Sequence, residues 1–121
     1  TCALPILVYF DDKNIYKTLS LCDLAITAGG LIMFDALNLK KPLITIPQYL
    51  HQKENIKKLY NQKCLININL DKDLNKNLNK NLFLMNDYDK RINMIKSQSK
   101  ILSGNKTPKA IELIYDEYKK K

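Results

Sequence analysis

The stretch Ala28-Gly29-Gly30 constrains this chain more than any other. It closes the apolar run Leu24-Ala25-Ile26-Thr27 and opens a helical pattern that continues to Leu39. A strand that passes through two glycines into a helix leaves bare backbone N–H groups at the helix start. That end carries partial positive charge and unsatisfied donors, and glycine lets an anion approach the backbone closely. A second strand-like run, Leu43-Ile44-Thr45-Ile46-Pro47, is followed by the polar residues Gln48, His51, Gln52 and Asn55. Two βα junctions with polar side chains at both loops predict a phosphate-and-sugar site at the C-terminal edge of a parallel sheet.

The rest of the chain agrees with an α/β domain. Pro5 to Phe10 reads as a buried strand, broken by Asp11-Asp12, which reads as a turn and helix start. Asn14 to Cys22 carries Ile15, Leu19 and Cys22 at helical spacing. Lys40-Lys41-Pro42 stops the helix that begins at Gly30, because proline disfavours helix at the residue before it. A third helix spans His51 to Asn61 with Ile56, Leu59 and Tyr60 on its apolar side, and a fourth strand spans Cys64 to Ile68. Strands alternating with helices of this length argue for a parallel sheet covered on both faces.

Residues 71–81 are nearly low-complexity, but Leu74, Leu78 and Leu82 recur every four residues and predict a short polar helix. A longer helix follows from Asp87 to Leu102, with Ile92, Ile95 and Leu102 inward. Thr107 and Pro108 open a last helix that runs to about Tyr118. The whole reads as one domain over residues 1–121, with the βα units and the site in 1–70 and a helical part in 71–121. Four strands make a thin sheet with an exposed edge at Ile6–Phe10, so further strands are expected before Thr1.

Composition narrows the class. Net charge is +8, but residues 1–56 hold five lysines against five acids, so the excess lies in the second half. Only Arg91 among the 20 basic residues is an arginine, the residue that nucleic-acid recognition uses for forked contacts. No nucleic-acid partner is expected. The lysine-rich half reads as a solvated face and leaves room for peripheral contact with an anionic membrane. Cys2, Cys22 and Cys64 are widely spaced and form no C-x-x-C pair, which fits reduced thiols in a cytoplasmic protein. His51 is the sole histidine, so a structural zinc site is not expected.

Residues 22–37, then Lys41-Pro42-Leu43-Ile44-Thr45-Ile46-Pro47 and His51-Gln52-Lys53-Glu54-Asn55, resemble the C-terminal nucleotide-sugar-binding domain of GT-B glycosyltransferases. The resemblance is nearest to the branch of the peptidoglycan lipid II N-acetylglucosaminyltransferase. That branch also holds spore-coat polysaccharide glycosyltransferase-like proteins and the UDP-sugar hydrolase of pseudaminic acid synthesis. Leu102 to Asn105, leading into Pro108-Lys109-Ala110-Ile111, is loosely similar to its closing segment.

The resemblance implies a Rossmann-like sheet and a UDP-sugar ligand, with neither metal nor other cofactor. It implies that Gly29, Gly30, Leu31 and Ile32 offer N–H groups to a diphosphate and that Asp35 takes the ribose. His51, Gln52 and Asn55 would face the sugar or its phosphate, and Gln48 joins them. It implies no catalytic base in this chain; the base belongs to an N-terminal acceptor-binding domain or a separate partner chain. The chain departs from the family pattern: Ile32 stands where threonine is usual and Asp35 where glutamate is, and the family usually has glycine near Lys40. Plainer roles remain open for the same residues. The glycines can form a tight βα turn, Asp35 can be a favourable anion early in its helix, and His51 and Gln52 can be solvated first-turn residues.

Overall fold

A computed structural model describes residues 13–103. The element order is α1 (Ile15–Ser20), β1 (Ala25–Thr27), α2 (Leu31–Asn38), β2 (Leu43–Thr45), α3 (Leu50–Asn61), β3 (Ile66–Asn67), α4 (Leu74–Met85) and α5 (Tyr88–Ser103). The three strands form one parallel sheet in the order β1-β2-β3. Register pairs Ala25 with Leu43, Ile26 with Ile44 and Thr27 with Thr45, then Ile44 with Ile66 and Thr45 with Asn67. The expected Rossmann-like α/β architecture is present. The expected strand over residues 5–10, the Asp11-Asp12 turn and the helix beginning near Thr107 lie outside the described residues.

Side-chain alternation along the strands divides the core in two. On one face Ala25, Leu43 and Leu65 pack with Leu19 of α1, Met33, Phe34, Ala36 and Leu37 of α2, and Ile56 and Leu59 of α3. On the other face Ile44 and Ile68 pack with Met85 of α4 and Met94 of α5, joined by the partly buried Leu24, Ile46 and Ile66. The sheet is thus the middle layer of three, as its continuous apolar strands require.

Two helices end by one device. Lys40 lies at φ 56° after α2, and Lys63 at φ 61° after α3. Lys40 N–H donates to Leu37 O and Lys41 N–H to Ala36 O, both at 2.9 Å. Lys63 N–H donates to Tyr60 O at 2.9 Å and Cys64 N–H to Leu59 O at 3.1 Å. Each is a Schellman ending, with lysine in the left-handed position that glycine occupies without strain.

Several faces are turned from expectation. Along α5 the buried residues are Met94, Gln98 and Ile101, spaced i, i+4, i+7, while Ile92, Ile95 and Leu102 are half-buried at the flanks. The cause is Gln98. It is fully buried, and its Nε2 donates to Lys41 O at 2.7 Å and Cys64 O at 2.9 Å. Those carbonyls stand just before β2 and β3, so one amide ties α5 to both strand starts. Its Oε1 is buried without a partner among the described residues. Tyr60 is turned to solvent, and the buried face of α3 is Gln52, Ile56 and Leu59. The helix expected over residues 71–81 runs on to Met85, because Met85 supplies the buried anchor and Leu82 stays exposed.

Candidate functional site

The register brings the strand ends into one row. Thr27, Thr45 and Asn67 are paired across the sheet at its C-terminal edge, on the face covered by α2 and α3. Thr45 Oγ1 donates to Asn67 Oδ1 at 3.0 Å and is fully buried. Thr27 Oγ1 is also buried but has no hydrogen-bond partner among the described residues. A buried hydroxyl left unmatched costs about 1–3 kcal/mol, so its position next to the diglycine loop is notable.

After Thr27 the chain turns through Gly29 at φ 102°, which side chains with a Cβ rarely adopt. The backbone here also presses on α3. A Cβ on Gly29 would stand 2.7 Å from Ile56 Cδ1 and 3.3 Å from Gln52 Cβ. Gly29 therefore does two things: it reverses the chain, and it lets the loop meet the first turns of α3. Gly30 caps α2 without a side chain, its carbonyl accepting from Met33 N–H at 3.1 Å. The N–H groups of Leu31 and Ile32 come too early in α2 to have a partner within it.

The second loop is fixed by Gln52. Its Oε1 accepts from Gln48 N–H at 2.8 Å and Tyr49 N–H at 3.2 Å, which is the side-chain half of a capping box at the start of α3. Gln52 is only 8% exposed, and its remaining polar group is the Nε2 donor. His51 is exposed and stacks on Tyr49, with ring centroids 5.9 Å apart and planes 3° from parallel.

An open cavity of about 570 Å³ lies at this junction, within the usual range for small-molecule sites. Its walls are Ile26, Thr27, Ala28, Gly30, Leu31, Ile32 and Gln52. Of the residues expected at a ligand site, Gly30, Leu31, Ile32 and Gln52 meet there, and Gly29 is buried beneath the loop. Asp35 is not a wall residue. It is half-buried on the helical face of Leu31 and Ile32, one turn further along α2. Asn55 is half-buried one turn beyond His51 and Gln52, while Gln48 and His51 stand exposed outside the cavity.

The sequence pattern assigned no ligand-site role to Thr27, Ile26 or Ala28. The available signal for Thr27 was a hydroxyl at the last strand position before the glycines. Among the described residues no lysine or arginine lines the cavity, so of these groups an anion there would meet the backbone N–H groups and the α2 end. Among the described residues, no group of three or more His, Cys, Asp or Glu side chains could hold a metal ion, and no helix is long and apolar enough to cross a membrane.

No curated protein matches the sequence. Residues 5–114 match the family model described as Glycosyltransferase family 28 C-terminal domain. That match covers most of the chain and agrees with three parallel strands between helix layers and a cavity at the glycine-bearing βα junction. The chain therefore belongs to the glycosyltransferase family 28 C-terminal domain family, whose members bind nucleotide-sugar donors.

Proposed function

We propose that the cavity between β1 and α2 holds a UDP-sugar, specifically a UDP-N-acetylhexosamine. In this reading the diphosphate meets the N–H groups of Gly30, Leu31 and Ile32, with Gly29 shaping the approach. Asp35 accepts from the ribose hydroxyls. Asn55, His51 and Gln48 face the sugar or its phosphate, and Gln52 donates from Nε2 because its Oε1 already serves the loop.

The observation that carries the reading is the convergence on one cavity of the α2 start, the Gln52 amide and a buried Thr27 hydroxyl with no partner among the described residues. As the bond to the anomeric carbon breaks, the departing diphosphate gathers negative charge. The positive end of α2 stabilises that charge, and fixed dipoles aimed at developing charge are a large source of rate enhancement. The reaction is glycosyl transfer or hydrolysis at the anomeric carbon, in the cytoplasm, within cell-surface polysaccharide or nonulosonic acid synthesis. The acceptor site and general base are supplied by another domain or a partner chain.

A second reading is a donor-binding subunit of a split glycosyltransferase, or a regulatory module that binds without turnover. The aliphatic Ile32 side chain in the cavity wall, where the related domains usually carry threonine, favours it.

Calorimetric titration with UDP, UDP-N-acetylglucosamine, ADP and CMP tests the site. Saturable binding of the uridine ligands, abolished in Gly30→Asp, is expected; equal binding by that variant would remove the diphosphate assignment. Asp35→Ala is expected to weaken UDP more than 2′,3′-dideoxy-UDP, and equal losses would take the ribose away from Asp35.

A further inference from the structure

A second open cavity, of about 530 Å³, lies at the other end of the strands. It is reached from the start of β3, where α3 ends and α4 meets α5. Its apolar wall is Leu65, Ile66, Leu84, Met85 and Met94. Lys63 and Lys90 also line it, with the amides Asn61 and Asn93, and among the described residues no aspartate or glutamate does. Two cations over an aliphatic floor match a ligand with an apolar body and an anionic group. The methionines add an adaptable surface.

We propose that this cavity binds an amphipathic anion. Its aliphatic chain lies against Leu65, Ile66, Leu84 and Met94, and its phosphate or carboxylate is held by the ammonium groups of Lys63 and Lys90. The site is separate from the β1–α2 cavity, and it stands whether or not that cavity takes a UDP-sugar.

The test is calorimetry on the full chain with octyl phosphate below its micelle concentration, against inorganic phosphate and the neutral octyl glucoside. One-to-one binding of octyl phosphate is expected, at least tenfold tighter than either comparison. Each added methylene should tighten it by up to about fourfold, the value of burying one such group. Lys63→Gly relieves the backbone while removing the ammonium, so it should fold at least as well and bind about two- to fivefold more weakly. Leu84→Asn, checked for folding by its melting curve, should lose the chain-length dependence. Sedimentation with phosphatidylglycerol and phosphatidylcholine vesicles then separates the sources. Pelleting with the anionic vesicles alone, reduced in both variants, assigns the ligand to a bilayer, and no pelleting assigns it to a free amphiphile. Failure to bind octyl phosphate, binding unchanged in both variants, inorganic phosphate binding as tightly, or displacement by UDP would each overturn the proposal.

Discussion

Gly29 lies against Ile56 so closely that a Cβ on the glycine would fall 2.7 Å from Ile56 Cδ1. The diglycine is thus a packing feature as well as a turn. It joins the first βα loop to α3 and thereby joins both halves of the candidate site.

Gly29→Ala should therefore be costly on two counts, the φ of 102° and the contact with α3. A loss of about 2 kcal/mol or more is expected in urea unfolding. Truncation in Gly29→Ala/Ile56→Ala removes the contact but not the backbone strain, so it should recover none of the strain part. A neutral Gly29→Ala would show that the loop is not held as described.

Gln52 separates folding from binding. Gln52→Ala leaves the N–H groups of Gln48 and Tyr49 without their acceptor and should cost about 1 kcal/mol. Gln52→Glu keeps an acceptor of the same reach and should hold its stability. It also sets a carboxylate in the cavity wall, so its affinity for UDP should fall well below that of the parent. Unfolding curves and calorimetry on the same samples read both effects.

The left-handed lysines give a stabilising prediction. Lys40→Gly and Lys63→Gly each keep the helix-ending hydrogen bonds and remove a strained φ. Each should raise unfolding free energy by roughly 0.5–1 kcal/mol, the left-handed penalty less the extra freedom glycine gives the unfolded chain. A lower urea midpoint in either variant would count against the φ values described.

Cys64 is fully buried, and burial pushes its thiol from 9.0 up to about 11. The native state favours the neutral thiol, so this contribution is complete below pH 9 and is lost as pH rises through 11. The loss is about 2–3 kcal/mol once both states are ionised. The stability advantage over Cys64→Ala at pH 8 should shrink or reverse by pH 11. A constant difference across that range would mean the thiol has the same pKa in the folded and unfolded chain.

The layered fold was legible because its signals are local. Leu24–Thr27 and Leu43–Ile46 are short apolar runs, and the glycines between Thr27 and Leu31 mark a turn whatever surrounds them. Gln98 was not legible, because its burial depends on carbonyls 57 and 34 residues away in the chain. Without those partners an amide reads as surface, and the inward face of α5 is then drawn through Ile92 and Ile95. Gln52 has a similar history. Its place after β2 marked it as polar and near the site, but the two loop N–H groups it holds are visible only when the loop is folded back on α3. Thr27 read as one more strand residue, since its unpartnered hydroxyl belongs to geometry and not to sequence pattern.

Gln98 bridges the starts of β2 and β3, and the Thr45–Asn67 side-chain bond joins the same two strands at their other end. Among the described residues, β1 has no such crosslink and is joined to β2 by main-chain pairing, including Ile46 N–H to Thr27 O at 2.8 Å. The two flanks of the cavity beside α2 are therefore held in different ways: β2 and β3 by side-chain bonds at both ends, and the Thr27–Gly30 loop by main-chain pairing and by the close seat of Gly29 on Ile56.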